Sequence, residues 1–110
     1  MATISLNKNV VTTINTFTFE PEHQQRGLEL LVEIARILRK EVPGLLAAHF
    51  HTSIDGTRVV NYAQYVSREA LEAATAKIFS APEMIPLVAE IREIAAPDSR
   101  EYEVRVVLEG

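Results

Sequence analysis

Two histidines and two asparagines stand among residues that alternate as a strand does. His49 and His51 are two apart, Asn61 lies ten residues beyond His51, and Asn15 falls in an earlier run of β-branched residues. An asparagine amide can donate to an oxygen on which negative charge develops. An imidazole can take a proton near neutral pH. Tyr65 is four residues past Asn61, so on a strand both fall on one face, and its ring can stack while its hydroxyl donates. The histidine pair has metal-ligand spacing, but no Asp, Glu or Cys adjoins it on a strand, so a metal is not expected. The chain has no cysteine, which excludes disulfides, thiolate metal sites and a thiol nucleophile. It also has no glycine-rich phosphate loop.

The elements that must position these groups can be read from periodicity. Val10 to Phe19 is a β-branched and aromatic run, hence a strand. Pro21 opens a helix of about 20 residues, with Leu28, Leu31, Ile34, Ala35, Leu38 and Val42 on its apolar side. Pro43-Gly44 stops it. Leu45–Ile54 and Thr57–Val66 flank Asp55-Gly56, a hairpin signal. Ser67 caps a second helix bearing Leu71, Ala74, Ile78 and Phe79, which Ala81-Pro82 interrupts and Met84–Ala95 continues. Pro97-Asp98 ends that helix, and the alternation of Tyr102, Val104, Val106 and Leu108 predicts a last strand.

The order β-α-β-β-α-β predicts an α+β, ferredoxin-like domain over residues 9–110, preceded by a tail at residues 1–8. Its helices cover one face of an antiparallel sheet. The other face would carry Val10, Ile14, Phe50, Val60, Tyr62 and Val66, too much apolar surface to leave in water, so a homodimer packed sheet to sheet is expected. With 110 residues and a formal net charge of −4, and Lys and Arg scattered, the chain suits neither two domains nor nucleic acid. No apolar run is long enough to cross a bilayer. The first nine residues lack the basic-then-apolar pattern of a secretory leader, so a cytoplasmic protein is expected.

The hairpin carries a family likeness. Pro43-Gly44-Leu45, Ile54-Asp55-Gly56-Thr57 and Asn61-Tyr62-Ala63-Gln64-Tyr65 resemble the antibiotic biosynthesis monooxygenase family, whose members read Pro-Gly-Phe, Leu-Asp-Gly-Thr and Asn-Tyr-Ala-Gln-Trp. The resemblance covers residues 10 to 79 in order of elements and is tightest in the hairpin. It implies a dimeric α/β barrel with a ligand cavity between sheet and helices. It also implies oxidation of an anthrone-like phenol or quinol by O2 without metal or flavin, so no cofactor. By motif it assigns Asn61, Asn15, His51 and Tyr65 to the catalytic site. His49, Phe17, Leu71 and Phe79 are expected to line the substrate. Tyr65 stands where the family usually has Trp, and Leu71 where some members have Tyr. Related haem-degrading enzymes place a histidine on the second helix, where this chain has Ala74-Thr75-Ala76-Lys77.

Which residues share the face of Asn61 depends on the turn. A two-residue Asp55-Gly56 loop sets Phe50 opposite Asn61. A three-residue loop, Ile54 to Gly56, sets His49 there and swaps the face of every residue on the strand. The three-residue loop is the expected one, because it gathers His49, His51, Asn61 and Tyr65 beside the helices. In that arrangement Asn61 and Asn15 donate to a phenolic oxygen, His51 accepts its proton, and Tyr65 packs on the ring. The expected enzyme is a cofactor-independent monooxygenase acting on a small aromatic substrate. The alternative is a non-oxygenase using the same cavity: a small-molecule binding or stress-response protein, or a cyclase or isomerase.

Overall fold

The computed structural model describes residues 10–109, so the predicted tail at residues 1–8 lies outside the described residues. Strand β1 (Val11–Phe19) runs into a 3-10 turn at Pro21–His23, then helix α1 (Gln24–Glu41). Strands β2 (Leu45–Thr52) and β3 (Arg58–Tyr65) form the hairpin. Helices α2 (Arg68–Ser80) and α3 (Ile85–Ile94) follow, then β4 (Ala95–Tyr102). The sheet is antiparallel with order β2-β3-β1-β4, and the fold is the α+β, ferredoxin-like arrangement that the element order predicts.

Local chemistry explains most boundaries. Proline occupies the first turn at Pro21, where its missing N–H costs nothing. Gly44 sits at φ +109°, a conformation that L side chains resist, and its carbonyl accepts from the Val66 amide at 2.8 Å, tying the root of β2 to the end of β3. The Ser67 hydroxyl accepts from the Ala70 amide at 3.1 Å, the N-cap that its residue type predicts.

The hairpin corrects the expected turn. The loop is neither two nor three residues but four, Ile54 to Thr57. It is closed by the Ser53 amide donating to the Arg58 carbonyl at 3.0 Å and the Gly56 amide donating to the Ser53 carbonyl at 3.1 Å. Gly56 takes φ +83°. The Asp55 carboxylate organises this loop, accepting from the Ser53 hydroxyl at 2.8 Å, the Thr57 hydroxyl at 2.7 Å and the Thr57 amide at 3.0 Å. These bonds favour its charged form and hold its pKa down to about 2, below the ordinary 3.8. Because the folded value lies below the unfolded one, this stabilisation is complete above about pH 3.8 and is lost as pH falls towards 2. Asp55→Asn should therefore lose stability at neutral pH and lose less of what remains between pH 4 and 2. Thermal unfolding of the two proteins across that range checks this.

The last strand is also corrected. It is Ala95–Tyr102, not Tyr102 to Leu108, and it begins where α3 ends, with no intervening loop. Its sequence lacks apolar alternation because it is an exposed edge from Ala96 onward. Pro97 is tolerated there, since an edge strand has one side with no ladder to supply. Residues 103 to 109 belong to no strand, and Val106 and Leu108 are exposed.

The core lies between helices and sheet in two clusters. One gathers Ile34, Leu38, Ala63, Tyr65, Ala74 and Met84; the other Phe19, Leu30, Leu31, Val59 and Ile91. Gly27 lets α1 approach β1: a Cβ at this position would fall 2.2 Å from Cε1 and Cζ of the buried Phe19 ring. Ion pairs tie the outer surfaces, Arg26 to Glu90 through two bonds of 2.6 and 2.7 Å, and Arg68 to Glu101 at 2.5 Å.

Candidate active site

Register decides which side chains meet. Phe50 pairs with Asn61, Asn61 with Asn15, and Asn15 with Ser99, one residue from each strand in sheet order. Cross-strand partners share a face, and along β3 Asn61 shares its face with Val59, Ala63 and Tyr65, all in the core. The row Phe50–Asn61–Asn15–Ser99 therefore faces the helices. It crosses the inner sheet face between the Ala63–Tyr65 cluster and the Val59–Phe19 cluster, a polar seam between two apolar patches.

The seam is not neutralised by the protein itself. The side-chain oxygen Oδ1 of Asn61 is buried and, among the described residues, is the one buried side-chain polar atom without a hydrogen-bond partner. A buried orphan acceptor typically costs about 1–3 kcal/mol, so its retention asks for a function. Turned over, the same amide would present its NH2, so the position can pair with a donor or with an acceptor.

Of the predicted residues, Asn61 and Asn15 are adjacent partners. Tyr65 shares their face and is buried in the first cluster, where desolvation raises its phenol pKa. Phe17 flanks the seam on the side of the second cluster, and Leu71 packs on the first. The expected placement of four residues is corrected. His49 and His51 pair with Tyr62 and Val60, so they lie on the outer face, where the His49 ring meets the Tyr62 ring edge-on at 6.1 Å. Phe50, expected outside, takes the inner place beside Asn61. The cause is the four-residue loop, which fixes the opposite parity. Phe79 is 62% exposed on α2, with the Arg92 guanidinium 5.7 Å from its ring centre, and does not line the seam. Ser99, the β4 member of the row, leaves no signal in the sequence, because an exposed edge strand has no apolar alternation to mark it.

Two shallow hollows lie away from the seam, one along α1 at Arg26, Glu29 and Leu87, the other on the outer face between Ile14, Tyr62 and the chain beyond Tyr102. At the β4 end of the row Ser99 and Glu101 are exposed. Among the described residues no three His, Asp or Glu side chains converge as a metal site would need, and no helix is long and apolar enough to cross a membrane.

The sequence profile of antibiotic biosynthesis monooxygenases matches residues 10–77, which include β1, the hairpin and most of α2. The chain belongs to the antibiotic biosynthesis monooxygenase family. Within that family it is similar to the tetracenomycin-F1 monooxygenase of Streptomyces glaucescens. The two are 36% identical over 97 residues, covering 88% of this chain and 83% of that protein. Among solved structures it resembles the monooxygenase from the ActVA-Orf6 gene of Streptomyces coelicolor, determined with nanaomycin D. That match has a TM-score of 0.75 and 26% identity, over 97% of this chain and 99% of that one. It shares its fold with SnoaB, a cofactor-independent oxygenase from Streptomyces nogalater. There the TM-score is 0.74 and the identity 19%, over 93% of this chain and 99% of that one.

Proposed function

We propose that this protein is a cofactor-independent monooxygenase that oxidises a phenolic, anthrone-like or quinol substrate with O2. The observation that carries the reading is the buried, unpartnered Asn61 oxygen in a row with Asn15, flanked by Phe17 and Phe50. A phenol hydroxyl donates to Asn61. Once the substrate ionises, the turned amides of Asn61 and Asn15 donate to the oxyanion in a site with little water. The electron-rich anion then supplies the electrons: a methylene between two aromatic rings becomes a carbonyl with one oxygen atom, and the other leaves as water. The relatives named as monooxygenases support this reading.

With His51 on the outer face, no imidazole stands in the row to take the proton. That observation favours the second reading, a family member that binds an aromatic ligand without oxidising it. Oxygen uptake by metal-stripped protein with a panel of anthrones and hydroquinones separates the two. Uptake that survives a chelator supports the oxygenase; tight binding without uptake supports the binding protein.

The protein is further proposed to work as a homodimer in the cytoplasm. Ile14, Val60 and Tyr62 form the apolar centre of the outer face, now joined by His49 and His51 in place of Phe50. Tyr62→Asp would bury an unpaired charge at that interface and should dissociate the dimer or unfold it. Sedimentation of the native protein as a stable monomer at micromolar concentration would rule the dimer out.

A further inference from the structure

The geometry points to Ser99 as a specificity-determining residue that binds a hydroxyl on the far outer ring of a three-ring ligand whose first ring is held by Asn61 and Asn15. This inference rests on the aromatic-ligand reading of the seam and adds its direction. Ser99 is the fourth member of the inner row and pairs directly with Asn15. Neighbouring strands lie about 5 Å apart, so the row from Phe50 to Ser99 extends about 14 Å across the sheet. Polar groups occupy three successive strands, and the apolar Phe50 closes the end at β2. The next row on the same face is Ala48, Ala63 and Thr13, side chains too short to reach across the seam, and then Glu101, engaged with Arg68. A flat fused-ring ligand entering from the exposed β4 edge thus lies across the strands. One ring oxygen is at the asparagines, the other at the Ser99 hydroxyl, which can donate or accept. A ligand lying along the strands would instead run from Asn61 towards Tyr65 and never reach Ser99.

Two dyes that O2 does not consume, being already at the quinone level, test the direction: 1-hydroxyanthraquinone and 1,8-dihydroxyanthraquinone, titrated by absorbance against native protein, Ser99→Ala, Ser99→Thr and Asn61→Ala. Ser99→Ala should weaken the dihydroxy dye about 3- to 10-fold, the loss of one hydrogen bond, and leave the monohydroxy dye unchanged, while Ser99→Thr keeps the preference. Equal effects of Ser99→Ala on both dyes, or none on either, with Asn61→Ala still weakening both, overturn the role of Ser99 and leave the seam as the site. Dye binding insensitive to Asn61→Ala, or no binding to the native protein, overturns the aromatic-ligand reading and this inference with it. Ser99 is exposed on an edge strand, so unchanged thermal unfolding of its variants is expected and separates these outcomes from misfolding.

Discussion

Asn61→Ala is expected to lower turnover of an anthrone or quinol substrate about 10²-fold while weakening ground-state binding far less. The amide sits in the middle of the inner row, with Asn15 as its partner on β1 and core residues Val59 and Ala63 on either side along β3. An amide held in so dry a place needs no reorganisation when charge appears on the substrate oxygen, so its effect is concentrated in the transition state. The same substitution removes a buried orphan polar atom, so the folded protein should keep its stability within about 1 kcal/mol. Steady-state oxygen uptake together with thermal unfolding reads both quantities. Full turnover in Asn61→Ala, or turnover that vanishes with a chelator, would sink the mechanism.

The second large effect is on folding. Gly27→Ala should destabilise the protein by about 1–3 kcal/mol, although alanine is the better helix former by about 1 kcal/mol. The added methyl would lie 2.2 Å from two atoms of the Phe19 ring, and that ring is buried at 4% exposure against Leu30, Leu31, Val59 and Ile91. Either α1 lifts from the sheet or the ring is pushed into the second cluster. A fall in melting temperature of roughly 5–15 °C is the expected readout. Phe19→Leu, harmful alone, should recover part of the loss when combined with Gly27→Ala. A Gly27→Ala protein as stable as the native one would mean that the close approach is not what this glycine provides.

How far the sequence reveals this molecule depends on where burial leaves a pattern. β1 and α1 are legible because each packs an apolar face, and Ser67 because capping is local chemistry. β4 is not, because an exposed edge strand has no apolar face to record. Helix α2 misleads for a related reason. Its buried side is made of Ala70 and Ala74, and Phe79, nine residues after Ala70, falls about 180° around the helix from it. Asn61 and Tyr65 are legible as a pair because one parity rule joins them, and Asn15 only through the family resemblance. Phe50 and the histidines are not, because their parity passes through a turn whose length is set by hydrogen bonds of Asp55, Ser53 and Thr57.

The root of β2 holds the opposite parity from its tip. Leu45 pairs with Tyr65, but Ala47 pairs with Gln64, and the residue between them, Leu46, is left over as a bulge. The ladder therefore contains a dislocation, and its position along β2 sets which residues of that strand face the helices. Continued without a break, the pairing that starts at Leu45 would set His49 opposite Asn61. Sliding the surplus residue from Leu46 to the hairpin tip would turn Phe50 out and bring both imidazoles to the inner face, with β3 and β1 left where they are. Whether this sheet presents a phenyl ring or a pair of proton acceptors to its asparagines is thus governed by the place of a single unpaired residue, here Leu46, fifteen positions before Asn61.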